Sequence, residues 1–558
     1  MFPLIILFLL CFSRFCQVSP TEITDNFLES VLRARNRSDF TVEAPSDDTE
    51  NLRQTFHHTS IPKLRAGMQS LRQKWARRLQ AMPPHKLQEL TNNEKKLRPK
   101  LRARVQNHAG TLPEVNRAAG LNELLYQGDM VLTESQLQII TEAQDEDTAR
   151  EKRQAYRDRY YPSTTWGSTA YYYFDSSATP KVRAAFKAAV SFWQNNTCIN
   201  IIESPTAINR IRVFKGQGCY SYVGRITGVQ DLSLGPGCEE FGTAAHELGH
   251  ALGFFHTQSR YDRDQYLSIN LNNIEASYIE QFDKETSSTN YNYGMPYDYG
   301  SIMQYGATSA SFNEKPTMVA KDTEYQDTMG SDVVSFYDVS MMNEHYKCKE
   351  LCPPLTSAKC ANGGFPNARD CSTCICPSGY GGLLCDSRPS GCGSTLAAGS
   401  SWQSFTDKVG EGGSKLRDLH SSCNYWIQVS PDSSLRISDL NSLPIDGCIF
   451  GGIEIKTHAD QKLTGYRYCS TADKGTVLRS SSNLVPVITY NRYMYTTTTL
   501  QYRAISANDS MTRTVLPAPP CQDLHPNCPA FVLNGFCFSP FYSPNARRYY
   551  CTKSCNLC

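Results

Sequence analysis

Residues 246 to 256 read His-Glu-Leu-Gly-His-Ala-Leu-Gly-Phe-Phe-His, three histidines and one glutamate in eleven positions. His246 and His250 are four apart, so on a helix they project from one face a turn apart and can share a metal ion. Neutral imidazole nitrogen suits Zn2+, and three protein ligands leave a fourth position open for water. Gly253 permits the left-handed backbone that ends a helix, after which His256 swings back as the third ligand. Glu247 stands beside the first histidine without being needed as a ligand, placed to take a proton from an attacking water and hand it to a leaving amine. Zinc would polarise the carbonyl under attack, so the chemistry implied is peptide hydrolysis. HExxH alone also occurs on ordinary amphipathic helices. The longer HExxHxxGxxH pattern is more demanding, and a turn-rich segment around Met303, Tyr299 to Gly306, follows 47 residues after His256.

The elements that must position these groups are legible upstream. Phe-Gly-Thr-Ala-Ala before His246 is compatible with a helix. Ala170–Phe174 reads as an aromatic strand. A helix follows, with Thr179 as cap, Pro180 in the first turn, and Val182, Ala185, Phe186, Ala189, Val190 and Trp193 on one face. Ile199–Ile202 and Arg210–Phe214 read as further strands, giving a mixed α/β layer.

His-Glu-Leu-Gly-His-Ala-Leu-Gly-Phe-Phe-His-Thr-Gln-Ser-Arg-Tyr-Asp-Arg-Asp, followed by Tyr-Asp-Tyr-Gly-Ser-Ile-Met-Gln-Tyr-Gly, resembles the astacin family of zinc endopeptidases, and the likeness covers about residues 154 to 348. It implies an α+β metzincin domain, a twisted mixed sheet plus an active-site helix. It also implies that Met303 forms an apolar floor under the metal, and that Tyr305 is a further ligand that swings away to stabilise the oxyanion. Phenol oxygen is competent for both roles. The resemblance further implies the disulfides Cys198–Cys348 and Cys219–Cys238, and a substrate-binding edge strand in Gly228–Cys238, where an extended peptide pairs around Leu232–Leu234. Tyr126-Gln127-Gly128-Asp129 resembles the family's latency motif, with Asp129 at the zinc position meant for water. Many astacins carry glutamate after the third histidine, contacting the amino terminus formed on activation; Thr257 stands here and cannot supply that charge. Arg260, Asp262, Arg263 and Asp264 read as a structural charge network.

The 558-residue chain is too long for one core. Residues 1 to 18 carry an apolar run, Phe2 to Phe12, too short to span a bilayer but suited to a signal peptide. Residues 19 to 153 read as a cysteine-free pro-segment ending Arg-Glu-Lys-Arg, a site for a secretory convertase that would cut between Arg153 and Gln154. Of 22 cysteines, all but Cys11 and Cys16 lie beyond residue 197, and an even number in an exported chain implies disulfides.

Three modules follow the peptidase unit. Residues 349 to 386 resemble an epidermal-growth-factor (EGF-like) module, implying Cys352–Cys371, Cys360–Cys374 and Cys376–Cys385; six cysteines alone leave the connectivity open. Residues 392 to 503 resemble an all-β CUB sandwich with Cys392–Cys423 and Cys448–Cys469, but Gly451-Gly452 replaces the aspartate of calcium-binding members. Residues 521 to 558 resemble the small module named for sea-anemone potassium-channel toxins (ShKT), implying Cys521–Cys558, Cys528–Cys551 and Cys537–Cys555. Tyr542-Ser543 stands where channel blockers use Lys-Tyr, which disfavours a channel toxin. Asn36, Asn195 and Asn508 lie in glycosylation sequons.

A net charge of +2 excludes a generally nucleic-acid-binding surface, although 14 Lys and Arg face two acids between Arg53 and Arg104. That local excess reads as a solvated face. No second apolar run is long enough for a stable membrane anchor. The expectation is a secreted, extracellular zinc endopeptidase made as a zymogen and acting on extracellular proteins. Its module order resembles that of nematode astacins, for which roles in cuticle, hatching or tissue degradation are typical. The alternative is an inert binding protein acting through its CUB and ShKT modules, against which the complete ligand set and Glu247 both stand.

Overall fold

The structure, a computed structural model, describes residues 60–80, 111–121, 124–145, 155–286, 289–413, 415–429 and 432–505, with short pieces between Asp523 and Cys555. The signal segment, Arg153, Gln154, Asn36, Asn508, Cys521, Cys558 and Tyr542-Ser543 lie outside the described residues. No helix among the described residues is long and apolar enough to cross a membrane.

Ahead of the peptidase unit lie α1 (Ile61–Gln80), α2 (Leu112–Ala118), the short strand β1 (Met130–Val131) and α3 (Glu134–Asp145). Ile61, Leu64, Met68 and Leu71 repeat at helical spacing along α1 and are buried with Leu137 and Ile140 of α3. The same cluster takes in Tyr156, Tyr220, Tyr222 and Phe255, so this region shares a core with the unit that follows it.

The peptidase unit runs through β2 (Ala155–Tyr156), β3 (Thr169–Phe174), α4 (Pro180–Asn196), β4 (Asn200–Glu203), β5 (Arg210–Phe214), β6 (Cys219–Tyr222), β7 (Val229–Leu234), α5 (Phe241–Ala251), β8 (Leu267–Ile269), β9 (Asn290–Tyr291), β10 (Met318–Ala320) and α6 (Phe336–His345). The Thr179 hydroxyl accepts from Val182 N at 3.3 Å, and the apolar face of α4 named from the sequence is buried. Trp193 on that face donates its indole N–H to Ala245 O of α5 at 3.0 Å, which fixes the histidine-bearing helix against its neighbour.

The main sheet has the order β1-β6-β7-β5-β3-β4, with β6 antiparallel to β7 and the other pairs parallel. Here the structure corrects the sequence expectation. Leu232–Leu234 belongs to β7, an interior strand between β5 and β6, whose backbone groups are already paired. Without β1 the edge is β6, and β1 lies along it in parallel, Met130 opposite Ser221 and Val131 opposite Tyr222. The alternation in Val229–Leu234 fits a strand, but edge or centre is set by strand order, which no local pattern carries.

Beyond Cys348, β11 (Phe365–Asn367) and β12 (Asp370–Ile375) make a small antiparallel ribbon. Arg369 at its turn donates to Gln194 O, Thr197 O, Ile199 O and Asn200 Oδ1 of the peptidase unit. Strands between Thr395 and Ile505 form a five-stranded and a four-stranded sheet packed over Ile427, Leu435, Ile437, Ile453, Val487 and Leu500. The disulfides described are Cys198–Cys348, Cys219–Cys238, Cys352–Cys371, Cys360–Cys374, Cys376–Cys385, Cys392–Cys423, Cys448–Cys469, Cys528–Cys551 and Cys537–Cys555.

Candidate metal centre and cleft

Helix α5 carries His246 and His250 on its buried face and ends at Ala251. Gly253 then takes φ +114°, a conformation closed to most side chains, and the chain turns back to deliver His256. The His246 and His250 Nε2 atoms are 3.0 Å apart, and those of His246 and His256 3.3 Å. Asp129 completes the group: its carboxylate oxygens lie 3.1 Å from His246, 3.1 Å from His256 and 3.4 Å from His250. Donors about 2.0–2.1 Å from a tetrahedral zinc stand about 3.3 Å from one another, so this donor set has the size of a zinc tetrahedron.

The tautomers point the same way. Ile302 O and Phe254 O each lie 2.7 Å from the Nδ1 of His246 and His250, so both Nδ1 atoms carry the proton and both Nε2 lone pairs face inward. Two lone pairs 3.0 Å apart repel unless a cation lies between them. Burial pushes His250 below its ordinary range and His256 down to about 4, which keeps both imidazoles neutral. The residues present therefore fit zinc.

Glu247 is fully buried, and neither carboxylate oxygen has a hydrogen-bond partner among the described residues. Burial first, and the Asp129 charge second, push its carboxyl well above the ordinary range. A buried carboxyl able to carry a proton is thus present next to the first histidine of the cluster in sequence. Met303 is buried close to α5, its Sδ 3.0 Å from where a Cβ on Gly249 would lie. The Tyr305 hydroxyl donates to Gln127 O and lies 3.2 Å from Asp129 Oδ2.

Several residues of the site carried no sequence signal. Asn116 of α2 donates to Gly128 O at 2.8 Å and Cys219 O at 2.6 Å, and accepts from Cys219 N at 2.7 Å, stapling the Asp129 loop to the β6 edge. Gln127 of the Tyr126–Asp129 motif accepts from Ser259 Oγ, lies 3.2 Å from His256 Nδ1, and donates to Glu285 at 2.9 Å. Glu285 also accepts from Tyr126 at 2.7 Å and Thr289 at 2.8 Å, and burial pushes it up to about 7. Asp338 accepts from Ser301 Oγ at 2.5 Å and Ile302 N at 2.8 Å, anchoring the methionine turn to the capped start of α6. A lone Asn, Glu or Asp far away in sequence offers no pattern by which to find it.

Thr257 donates to Ser301 Oγ at 2.9 Å, and its backbone N–H to Met303 O at 2.9 Å, tying the third histidine's segment to the same turn. Arg260 forks onto Asp262, both nitrogen–oxygen distances being 2.8 Å, and Arg263 pairs with Asp264 at 3.0 Å. Asn195 is exposed at the end of α4.

Against known proteins, the profile of the astacin peptidase family matches residues 158–347, and that of the ShK domain-like family matches 520–558. Zinc metalloproteinase nas-31 of Caenorhabditis elegans is 58% identical over 99% of this chain and 92% of its own length. The chain belongs to the astacin family. Zinc metalloproteinase nas-32 of the same organism is 42% identical over 71% of this chain and 60% of its own length. Among solved structures, high choriolytic enzyme 1, a hatching-enzyme zinc protease of Oryzias latipes, is 30% identical, covering 34% of this chain and 98% of that one at a TM-score of 0.33. As an astacin the chain is a zinc metalloendopeptidase acting on protein substrates, and Zn2+ is its cofactor.

Proposed function

We propose that this astacin is secreted as a latent zymogen in which His246, His250 and His256 hold zinc and Asp129 blocks the fourth position. The observation that carries the reading is the Asp129 carboxylate within about 3.4 Å of all three histidines while β1 fills the β6 edge. One segment thus covers both the metal position for water and the strand on which a peptide would lie. Cutting between Arg153 and Gln154 by a secretory convertase releases both. The apolar first 18 residues and the dense disulfides support export. The ribbon module and the sandwich take the EGF-like and CUB roles.

Once β1 leaves, β6 can pair with an extended peptide by main-chain hydrogen bonds. That needs no free chain end, as suits internal cleavage of extracellular proteins such as cuticle, egg-shell or tissue matrix. Bound zinc supplies Lewis-acid polarisation of the scissile carbonyl and lowers the pKa of the attacking water. Glu247 accepts the water's proton and passes it to the leaving amine. Tyr305, freed from Gln127 and Asp129, donates a hydrogen bond to the oxyanion and keeps its proton.

The test is peptide cleavage by the purified full-length protein before and after processing at Arg153, with metal content measured and a chelator control. Activity that appears on processing and vanishes with chelator is the expected result. Bound zinc with no cleavage after complete removal of the pro-segment would overturn the reading in favour of an inert binding protein.

A further inference from the structure

The segment from Asp298 to Thr308 carries both Met303 and Tyr305, and the β-sandwich grips it at both ends. At the start, the buried Asp298 accepts from Gly300 N at 3.0 Å through one carboxylate oxygen, and through the other from Thr464 N at 3.4 Å and Thr464 Oγ1 at 3.2 Å. At the end, Asp446 Oδ2 accepts both Thr308 N at 2.6 Å and Thr308 Oγ1 at 2.7 Å. Thr464 and Asp446 belong to the sandwich; Asp298 and Thr308 belong to the peptidase unit.

The fit leaves no slack. A side chain on Gly300 would overlap Thr464, and a Cβ on Gly306, the residue after Tyr305, would stand 2.8 Å from Asp446 Oδ2. The gripping loops are themselves fixed. Lys456, buried in the sandwich, donates to Leu463 O at 2.8 Å; Glu454 accepts from Gly465 N at 3.0 Å and pairs with Arg467 at 2.9 Å. Arg467 reaches back to Ser331 Oγ of the peptidase unit at 2.7 Å, and Tyr325 donates to Thr464 O at 3.0 Å. Asp446 sits two residues from Cys448, which the bond to Cys469 ties to the end of the Tyr466–Tyr468 strand. The peptidase side holds the middle of the same segment: Asp338 accepts from Ser301 Oγ and Ile302 N, Met303 O accepts from Thr257 N, and Tyr305 N donates to Gln258 Oε1 at 3.1 Å, so the sandwich supplies the two ends.

We propose that Thr464 and Asp446 are positioning residues for the peptidase reaction: by clamping both ends of the 298–308 segment they set where the Tyr305 hydroxyl stands, and the sandwich is thereby part of the catalytic unit. The inference rests on the oxyanion role given to Tyr305 above. A donor displaced by about 1 Å can cost up to about a hundredfold in rate, which is the scale on which loosening one end should be felt.

The experiment uses full-length, processed protein, with active enzyme counted by zinc content. Tyr305→Phe, Asp446→Ala, Thr464→Val, Thr464→Ser and the double variant Tyr305→Phe/Asp446→Ala are compared on one peptide. Asp446→Ala and Thr464→Val are expected to lower kcat by about tenfold or more with KM within about twofold, while Thr464→Ser, which keeps the hydroxyl, restores most of the rate. In the Tyr305→Phe background Asp446→Ala should cost little more, because the group it positions is gone. Unchanged kcat in both single variants, or an equal loss with and without the Tyr305 hydroxyl, would overturn the proposal. If Asp446→Ala fails to bind zinc, the Thr464→Val and Thr464→Ser pair decides by the same criteria. A Tyr305→Phe variant of full activity would instead sink the oxyanion role itself, and the positioning role with it.

Discussion

Glu247 has two buried oxygens without a partner among the described residues, an arrangement that marks it for a functional role. Glu247→Gln keeps the shape and removes the proton carrier. Zinc content should stay at wild-type level while kcat of the processed enzyme falls about 10²–10⁴-fold, checked by metal analysis beside peptide hydrolysis. Asp129→Ala separates the two blocks of the latent form proposed above. Uncleaved protein should gain measurable hydrolysis yet remain below the processed enzyme, because Met130–Val131 still covers β6. Glu285 carries a pH dependence. Burial raises it from 4.5 to about 7, with Tyr126, Gln127 and Thr289 bonded to it and the Asp283 charge adding to the rise. A carboxyl raised in the folded state stabilises the fold fully below about pH 4.5, and that contribution is lost as pH rises through about 7. The shift corresponds to about 3 kcal/mol. Between pH 5 and 8, uncleaved wild type should therefore lose more thermal stability than Glu285→Gln; equal slopes in parallel melts would refute it.

At the scale of elements, the decisive join is between α5 and the returning stretch of chain that carries His256. Gly253 has φ +114°, and a Cβ there would lie 2.8 Å from His345 Nε2, so both backbone and space forbid a side chain. Gly253→Ala should destabilise by about 1–3 kcal/mol and reduce zinc affinity, read from the melting temperature and from competition with a chelator. Helix α5 with its glycine exit, and α4 with its Thr179 cap, are legible because period, cap and left-handed glycine are local properties. The edge strand was misplaced because β6 and β7 both look like strands, and their order in the sheet depends on pairings made far along the chain. Asn116, Glu285 and Asp338 carry no such signal for the same reason, since each acts across 12 to 159 residues of sequence.

In the whole molecule, Cys198–Cys348 closes a loop of separation 150 that holds the entire active site, joining the end of α4 to the end of the peptidase unit. Replacing both cysteines by serine should cost about 2–5 kcal/mol, measured as a lowered denaturation midpoint with an unchanged cleavage preference in the protein that remains folded. The modules beyond Cys348 are not strung out from the peptidase unit. Arg369 reaches four of its groups, and Tyr337 donates to Asp460 of the sandwich at 2.5 Å. The last cluster matches the ShK domain-like profile, with Cys528–Cys551 and Cys537–Cys555 described.

What the sequence determined by itself is the chemistry: which residues can ligate zinc, which can carry a proton, where a helix must end, and that cysteines must pair. These follow from residue type and short spacing, which physics fixes locally. The resemblance implied Asp129 at the metal position, but only the tertiary structure decided that β1 covers β6 rather than β7, and that the sandwich grips the Tyr305 segment. Those depend on bringing together groups distant along the chain, and the free energy that selects among such pairings is shared by the whole core.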